Sequence, residues 1–149
     1  MKQRRRIIST LLAALLVLGM MPTAWAAPQD KQVTLRIEFA ESTLQQPVTM
    51  DVQAKTLADY GLTDVTDPGY VTPLHVLAAY MEQTMGATAE DMTGYITAPG
   101  GWLSAILGSN GSESNAEGVY WMFSVNGAAP VNPETGWGYG IAEYPVQAG

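Results

Sequence analysis

Catalysis in a folded chain needs nucleophiles, acids and bases brought together, and this sequence is sparing with all of them. There is one histidine, His75, and no cysteine, which removes thiolate zinc sites, iron-sulfur clusters and cysteine nucleophiles from consideration. Ser109, Ser112 and Ser114 share one polar stretch, but no Gly-x-Ser-x-Gly elbow frames any of them. Gly100-Gly101 and the alternating Gly136, Gly138 and Gly140 lack the following Lys-Ser/Thr or helix start that a phosphate cradle requires. Asp59, Asp64 and Asp67 fall in a stretch broken by Gly61, Pro68 and Gly69. Their spacing misses the alternating ligand positions of a calcium loop and no closing Glu follows, so they read as a solvated acidic connection without a metal.

Flat apolar surface is what the chain does offer. Trp102, Trp121, Trp137 and Tyr139 lie near loops, where an aromatic face suits stacking on a sugar or a planar macrocycle. Trp121 belongs to an alternating segment and is expected in the core. Trp137, in Thr135-Gly136-Trp137-Gly138, is the aromatic expected to be most exposed. The expectation is a noncatalytic ligand-binding module with Trp137, Tyr139 and Trp102 in contact. Its partner would be an unidentified small molecule, a glycan or a cell-wall component. A passive adhesion stalk is the competing reading.

Several elements must position those residues. Val33 to Phe39 and Val48 to Ala54 each alternate apolar and polar with period two, which predicts two half-buried strands in an antiparallel hairpin. Glu41 to Gln46 would form the loop, Pro47 would stand at the strand entrance, and Arg36 would face Asp51. Thr72-Pro73 opens the clearest helix, over about Pro73 to Met85 with Gly86 as a left-handed cap. Leu74, Leu77, Ala78, Met81 and Met85 form its apolar stripe. His75 lies a quarter turn away and reads as a solvated helix-surface residue. Thr88 to Asp91 would begin a short helical turn, Tyr95 to Thr97 is strand-like, and Ser109 to Gly118 reads as a flexible polar loop. Val119 to Val125 alternates again and runs into Asn126-Gly127, the preferred pair for a type I′ hairpin. Ala128 to Val131 would be its return arm and Tyr139 to Tyr144 a further strand.

Charge and hydropathy speak to location. Of 149 residues seven are Lys or Arg and fourteen are Asp or Glu, for a net charge of −7. Lys2, Arg4, Arg5 and Arg6 sit at the extreme N-terminus, so three cations face fourteen acids in the body, a balance of −11. Such a surface repels a phosphate backbone, and no nucleic-acid partner is expected. The basic start, the uncharged apolar run from Ile7 to Met21 and the small residues of Ala24-Trp25-Ala26 make the tripartite pattern of an export signal over residues 1–26. Pro22 ends that run short of a span, so no stable membrane anchor is expected after cleavage. A tether over 27–32 and a secreted or cell-surface location are expected in consequence. The remaining 123 residues (149 less 26) suffice for one domain with a core, without disulfides.

The order of strand, strand and long helix, then Leu103-Ser104-Ala105-Ile106-Leu107-Gly108, then Trp121-Met122-Phe123-Ser124-Val125-Asn126-Gly127, resembles the transcobalamin C-terminal-like domain. The resemblance runs from about Val33 to Gly149. It implies a small α+β fold, a mostly antiparallel sheet with one main helix on one face in the β-grasp manner. Bacterial members look like modules of secreted or cell-wall proteins, and vertebrate relatives use the domain as one of two halves enclosing cobalamin. No cofactor is expected of the module itself; the resemblance makes a cobalamin half-site the alternative reading, and on that reading attention turns to Trp137 and the hairpin at Asn126 and Gly127. Members of that family continue through a Gly-Asp turn into one more strand, so residues 33–149 are expected to lack the final strand and to be C-terminally truncated. The helical-barrel half is absent from this sequence.

Overall fold

The computed structural model describes residues 30–147. The expected export signal, the start of the expected tether and residues 148–149 lie outside the described residues. Strand β1 (Lys31–Glu38) pairs antiparallel with β2 (Thr43–Val52), Val33 opposite Met50 and Leu35 opposite Val48. The expected alternation holds, with Ile37, Met50 and Val52 buried on the inner face. The strand takes in Lys31 and Gln32 from the expected tether, because Gln32 donates to Asp51 Oδ1 at 3.2 Å and Asp30 Oδ1 accepts the Ala54 N–H at 3.0 Å.

The hairpin loop is shorter than Glu41 to Gln46, since β2 begins at Thr43 and the register slips twice, between Leu35 and Ile37 and between Ile37 and Glu38. Pro47 stands at the first slip, inside β2 and not at its entrance; a bulge is where a residue without an N–H is tolerated. The register also undoes the expected Arg36–Asp51 pairing. Asp51 lies opposite Gln32, and Arg36 bonds Glu38 on its own strand.

Helix α1 (Pro73–Tyr80) starts after an extended Thr72, continues as a π-helical turn (Met81–Met85), and ends at Gly86 with φ +73°. Every residue from Leu74 to Tyr80 is buried. The helix packs on β2 and is tied to it by Tyr80, whose hydroxyl donates to Gln45 Oε1 at 2.9 Å. Leu57, Tyr60, Leu62 and Val65 of the preceding connection are buried in the same core, and the Tyr60 ring meets His75 edge-on at 6.4 Å.

That enclosure corrects the reading of His75. It is 1% exposed, and both ring nitrogens are used. Nδ1 accepts the Thr72 N–H at 3.1 Å and lies 2.8 Å from Thr72 Oγ1; Nε2 lies 3.2 Å from Asp67 Oδ2. An amide N–H is only a donor, so Nδ1 must be the acceptor and Nε2 carries the proton toward Asp67. His75 thus fills the place a Glu or Gln takes in a capping box. Asp67 is correspondingly not a solvated loop acid. Its Oδ2 accepts the Leu57 N–H and its Oδ1 the Gly69 N–H, each at 2.7 Å.

Thr88–Asp91 is a turn closed by Asp91 Oδ1, which accepts the Thr88 N–H at 2.6 Å and hydroxyl at 3.0 Å. The short helix α2 (Met92–Tyr95) starts only after it and leads into β3 (Ile96–Thr97), which pairs antiparallel with β4 (Ala105–Ile106). The fold is α+β, with two small antiparallel sheets and one main helix. Among the described residues each ladder is a two-stranded sheet of its own. The type I′ turn is present, with φ +52° at Asn126 and +80° at Gly127, and Val125 and Ala128 exchange backbone hydrogen bonds of 2.9 and 3.1 Å. Residues 119–124 alternate half-buried and exposed as expected, yet among the described residues no ladder partner lies beside them.

The return arm meets Gly138 only through a bridge at Val131, since Pro130 and Pro133 remove donors. The expected strand Tyr139 to Tyr144 is a turn instead. The Gly140 N–H donates to Glu143 Oε2 and the Glu143 N–H to Gly140 O, both at 3.0 Å. No helix of the described residues is long and apolar enough to cross a membrane.

Burial pushes the His75 imidazole below its ordinary 6.5, against the pull of Asp67. Burial pushes the Asp67 carboxyl up, but the Leu57 and Gly69 amides and His75 together bring it below 3.8. Both folded values lie below the unfolded ones. The His75 contribution is therefore full above 6.5 and lost as pH falls through its folded value, and that of Asp67 follows below 3.8. Urea midpoints should fall between about pH 7 and pH 5. His75→Leu should remove that step and lower stability at neutral pH by about 2 kcal/mol, because the Thr72 N–H loses its acceptor.

Candidate functional site

Below the serine loop the chain is held in place from both sides. Ser109 to Gly118 is internally bonded and not the flexible loop expected: Asn110 Nδ2 donates to Ala116 O and Asn115 Oδ1 accepts the Asn110 N–H, both at 3.0 Å. Ser112 is buried and its hydroxyl donates to Glu41 Oε1 at 3.1 Å, while the Gly111 carbonyl accepts the Ala40 N–H at 2.8 Å. The loop is thereby fastened to the β1–β2 turn. Trp121 then anchors the next segment, its indole N–H donating to Ser109 O at 2.7 Å while its ring packs on Phe39 at 5.6 Å. It is half-buried against the core, as the alternation implied.

From this anchored start, residues 120–123 form one wall of an open, largely apolar groove of about 390 Å³, within the range of small-molecule sites. Trp102 and Leu103 face it, and residues 137–141 close it. Four large apolar side chains on its rim stay in solvent: Trp137 78% exposed, Trp102 72%, Met122 70% and Tyr120 67%. Large apolar groups clustered around one cleft mark a contact surface, whereas scattered ones need no explanation.

Backbone geometry holds the two tryptophans out. Asn132 organises the Trp137 loop, its amide donating to Trp137 O and its carbonyl accepting the Gly136 N–H, both at 2.8 Å, with Oδ1 taking the Glu134 N–H at 2.9 Å. Trp102 follows the turn Pro99–Gly101, where Gly101 has φ +83° and any Cβ would stand 2.9 Å from the Ala142 Cβ. Tyr139 is half-buried, stacked edge-on against Tyr144 at 5.3 Å.

Of the residues singled out from the sequence, Trp102, Trp137 and Tyr139 line this groove together. Asn126 and Gly127 do not; they form the tip of the adjoining hairpin. Tyr120 and Met122 went unselected. Their signal was present in the sequence, because Val119 to Val125 is apolar on both faces, which a strand with one wet face is not.

A second constellation has the outward order of a catalytic relay: Thr72 hydroxyl, His75 imidazole, Asp67 carboxylate. Thr72 is fully buried and its amide occupies the nitrogen a base would use, so the three serve the helix start. Among the described residues no group of three or more His, Asp or Glu side chains is placed to hold a metal.

No family model matches the chain, and no curated protein or solved structure matches it either.

Acrylamide quenching checks the exposure of the two rim tryptophans. Trp137→Phe and Trp102→Phe should each remove a large part of the quenchable emission and leave the unfolding free energy within about 0.5 kcal/mol of the parent, as for other surface changes. Trp121→Phe should leave quenching nearly intact and cost stability. Gly101→Ala should destabilise by about 1–2 kcal/mol from the positive φ alone.

Proposed function

We propose that this chain is an exported, noncatalytic binding module of a bacterial cell-surface or secreted protein, and that its ligand seats in the aromatic groove between residues 120–123 and Trp137. The observation that carries this reading is the exposure of Trp102, Tyr120, Met122 and Trp137 around one cleft. Four such side chains converging on one place are what a ligand would cover. The enclosure of Thr72 and His75 supports the noncatalytic part, since a base without access to solvent or substrate moves no proton to one. The export pattern of residues 1–26 and the resemblance to the transcobalamin C-terminal-like domain support the location.

Equilibrium dialysis against labelled cobalamin, together with retention on insoluble cell-wall polysaccharide, tests the reading. Saturable binding that falls about tenfold or more in Trp137→Ala, a loss in the range of a binding hot spot, with an unchanged urea midpoint, is the expected result. Binding indifferent to Trp137, Trp102 and Tyr120 would remove the groove from the account and favour the passive stalk.

A further inference from the structure

The groove wall offers a chemistry beyond stacking on its aromatic faces. In an extended chain successive side chains point to opposite sides, so four consecutive residues, Tyr120, Trp121, Met122 and Phe123, can line one groove only if the backbone edge itself faces into it. Among the described residues, the N–H and C=O groups of residues 119–124 make no backbone hydrogen bond, and no side chain bonds them. Burial alternates along residues 119–124 as in an extended chain, and a segment with unbonded backbone and apolar side chains to either side is the arrangement that accepts an added strand.

Charge narrows what that strand must be. Lys55 is the last cation of the sequence; the 94 residues from Thr56 to Gly149 hold ten acids and no Lys or Arg. Every residue lining the groove belongs to this stretch. Glu143 stands at its lip, its carboxylate bonded to the N–H of the lining residue Gly140 at 3.0 Å. The exposed indoles of Trp102 and Trp137 add faces on which an ammonium or guanidinium rests favourably. A second copy of this chain would bring a like-charged body to the same place, whereas a basic partner gains from the field.

Resting on the binding-module reading, we propose that the occupant of the groove is an extended segment of another polypeptide in which apolar residues alternate with Lys or Arg. It adds as a strand along residues 119–124, its apolar side chains packing on Tyr120 and Met122 in cross-strand pairs, and its cations facing Glu143 and the indoles.

The test is fluorescence anisotropy with the full chain and three labelled, capped hexapeptides: alternating Lys and Val, alternating Glu and Val, and the Lys-Val peptide with alternate backbone nitrogens methylated. The Lys-Val peptide should bind saturably and lose about tenfold or more on exchange of Lys for Glu, as salt-sensitive complementary pairs do. A similar loss should follow methylation, which removes the ladder donors, and Trp137→Ala should weaken it as well. Equal binding of the Glu-Val peptide, full binding of the methylated one, or no binding at all would overturn the proposal. So would a dimer in sedimentation equilibrium that the Lys-Val peptide fails to dissociate, since the edge would then belong to a second copy. If cobalamin or polysaccharide is held through Trp137 while no peptide binds, the binding-module reading stands and the peptide assignment alone falls.

Discussion

One carboxylate organises the centre of this molecule. Asp67 takes the Leu57 and Gly69 amides and the His75 imidazole, which folds the connection of residues 57–70 over the start of α1 and fixes the His75 ring. The ring in turn accepts the Thr72 amide and sets the first turn of the helix. That turn holds the far end of the chain, since the Leu74 N–H donates to Ile141 O at 3.0 Å and the Val146 N–H to Val71 O at 2.9 Å. Ile141 is part of the groove. A buried polar network with every member satisfied rigidifies what it touches, and here it reaches from the helix to the cleft.

The groove itself sits where regular structure gives out. β1–β2 and β3–β4 close their own ladders, but the segment leading to the Asn126-Gly127 turn is held by side chains, through Trp121 on Ser109 and Phe39 and through Phe123 on Tyr144 at 6.2 Å. Packing on one face without pairing at the edge leaves an extended segment that is ordered and still open. An open apolar edge invites association, and residues 119–125 carry no charge of their own. Residues 56–149 hold ten acids and no Lys or Arg, a balance that disfavours the approach of another acidic chain.

Much of the local structure was legible because it is local. Period-two alternation placed Ile37, Met50 and Val52 inward, Thr72-Pro73 and Gly86 bracketed the helix, and Asn126-Gly127 marked its turn. His75 was misplaced because helical phase assumes one wet face, and α1 is covered on the other side by the 57–70 connection; its partner Asp67 lies in a loop whose path no periodicity encodes. The Arg36–Asp51 pairing failed for a related reason, since two bulges near Pro47 shift a register that alternation alone cannot count. At the groove, Trp102, Trp137 and Tyr139 were recognisable from glycine-rich surroundings. Tyr120 and Met122 were hidden by the assumption that Val119 to Val125 would be paired, and whether a strand finds a neighbour is decided by the tertiary arrangement.

The central claim is that residues 119–124 are an ordered but unpaired edge, and amide hydrogen exchange of the free full chain tests it most directly. The account requires fast exchange at these amides while those of β1, β2 and α1 exchange slowly. Protection at residues 119–124 matching that of the β1–β2 ladder would contradict it, because the edge would already have its partner.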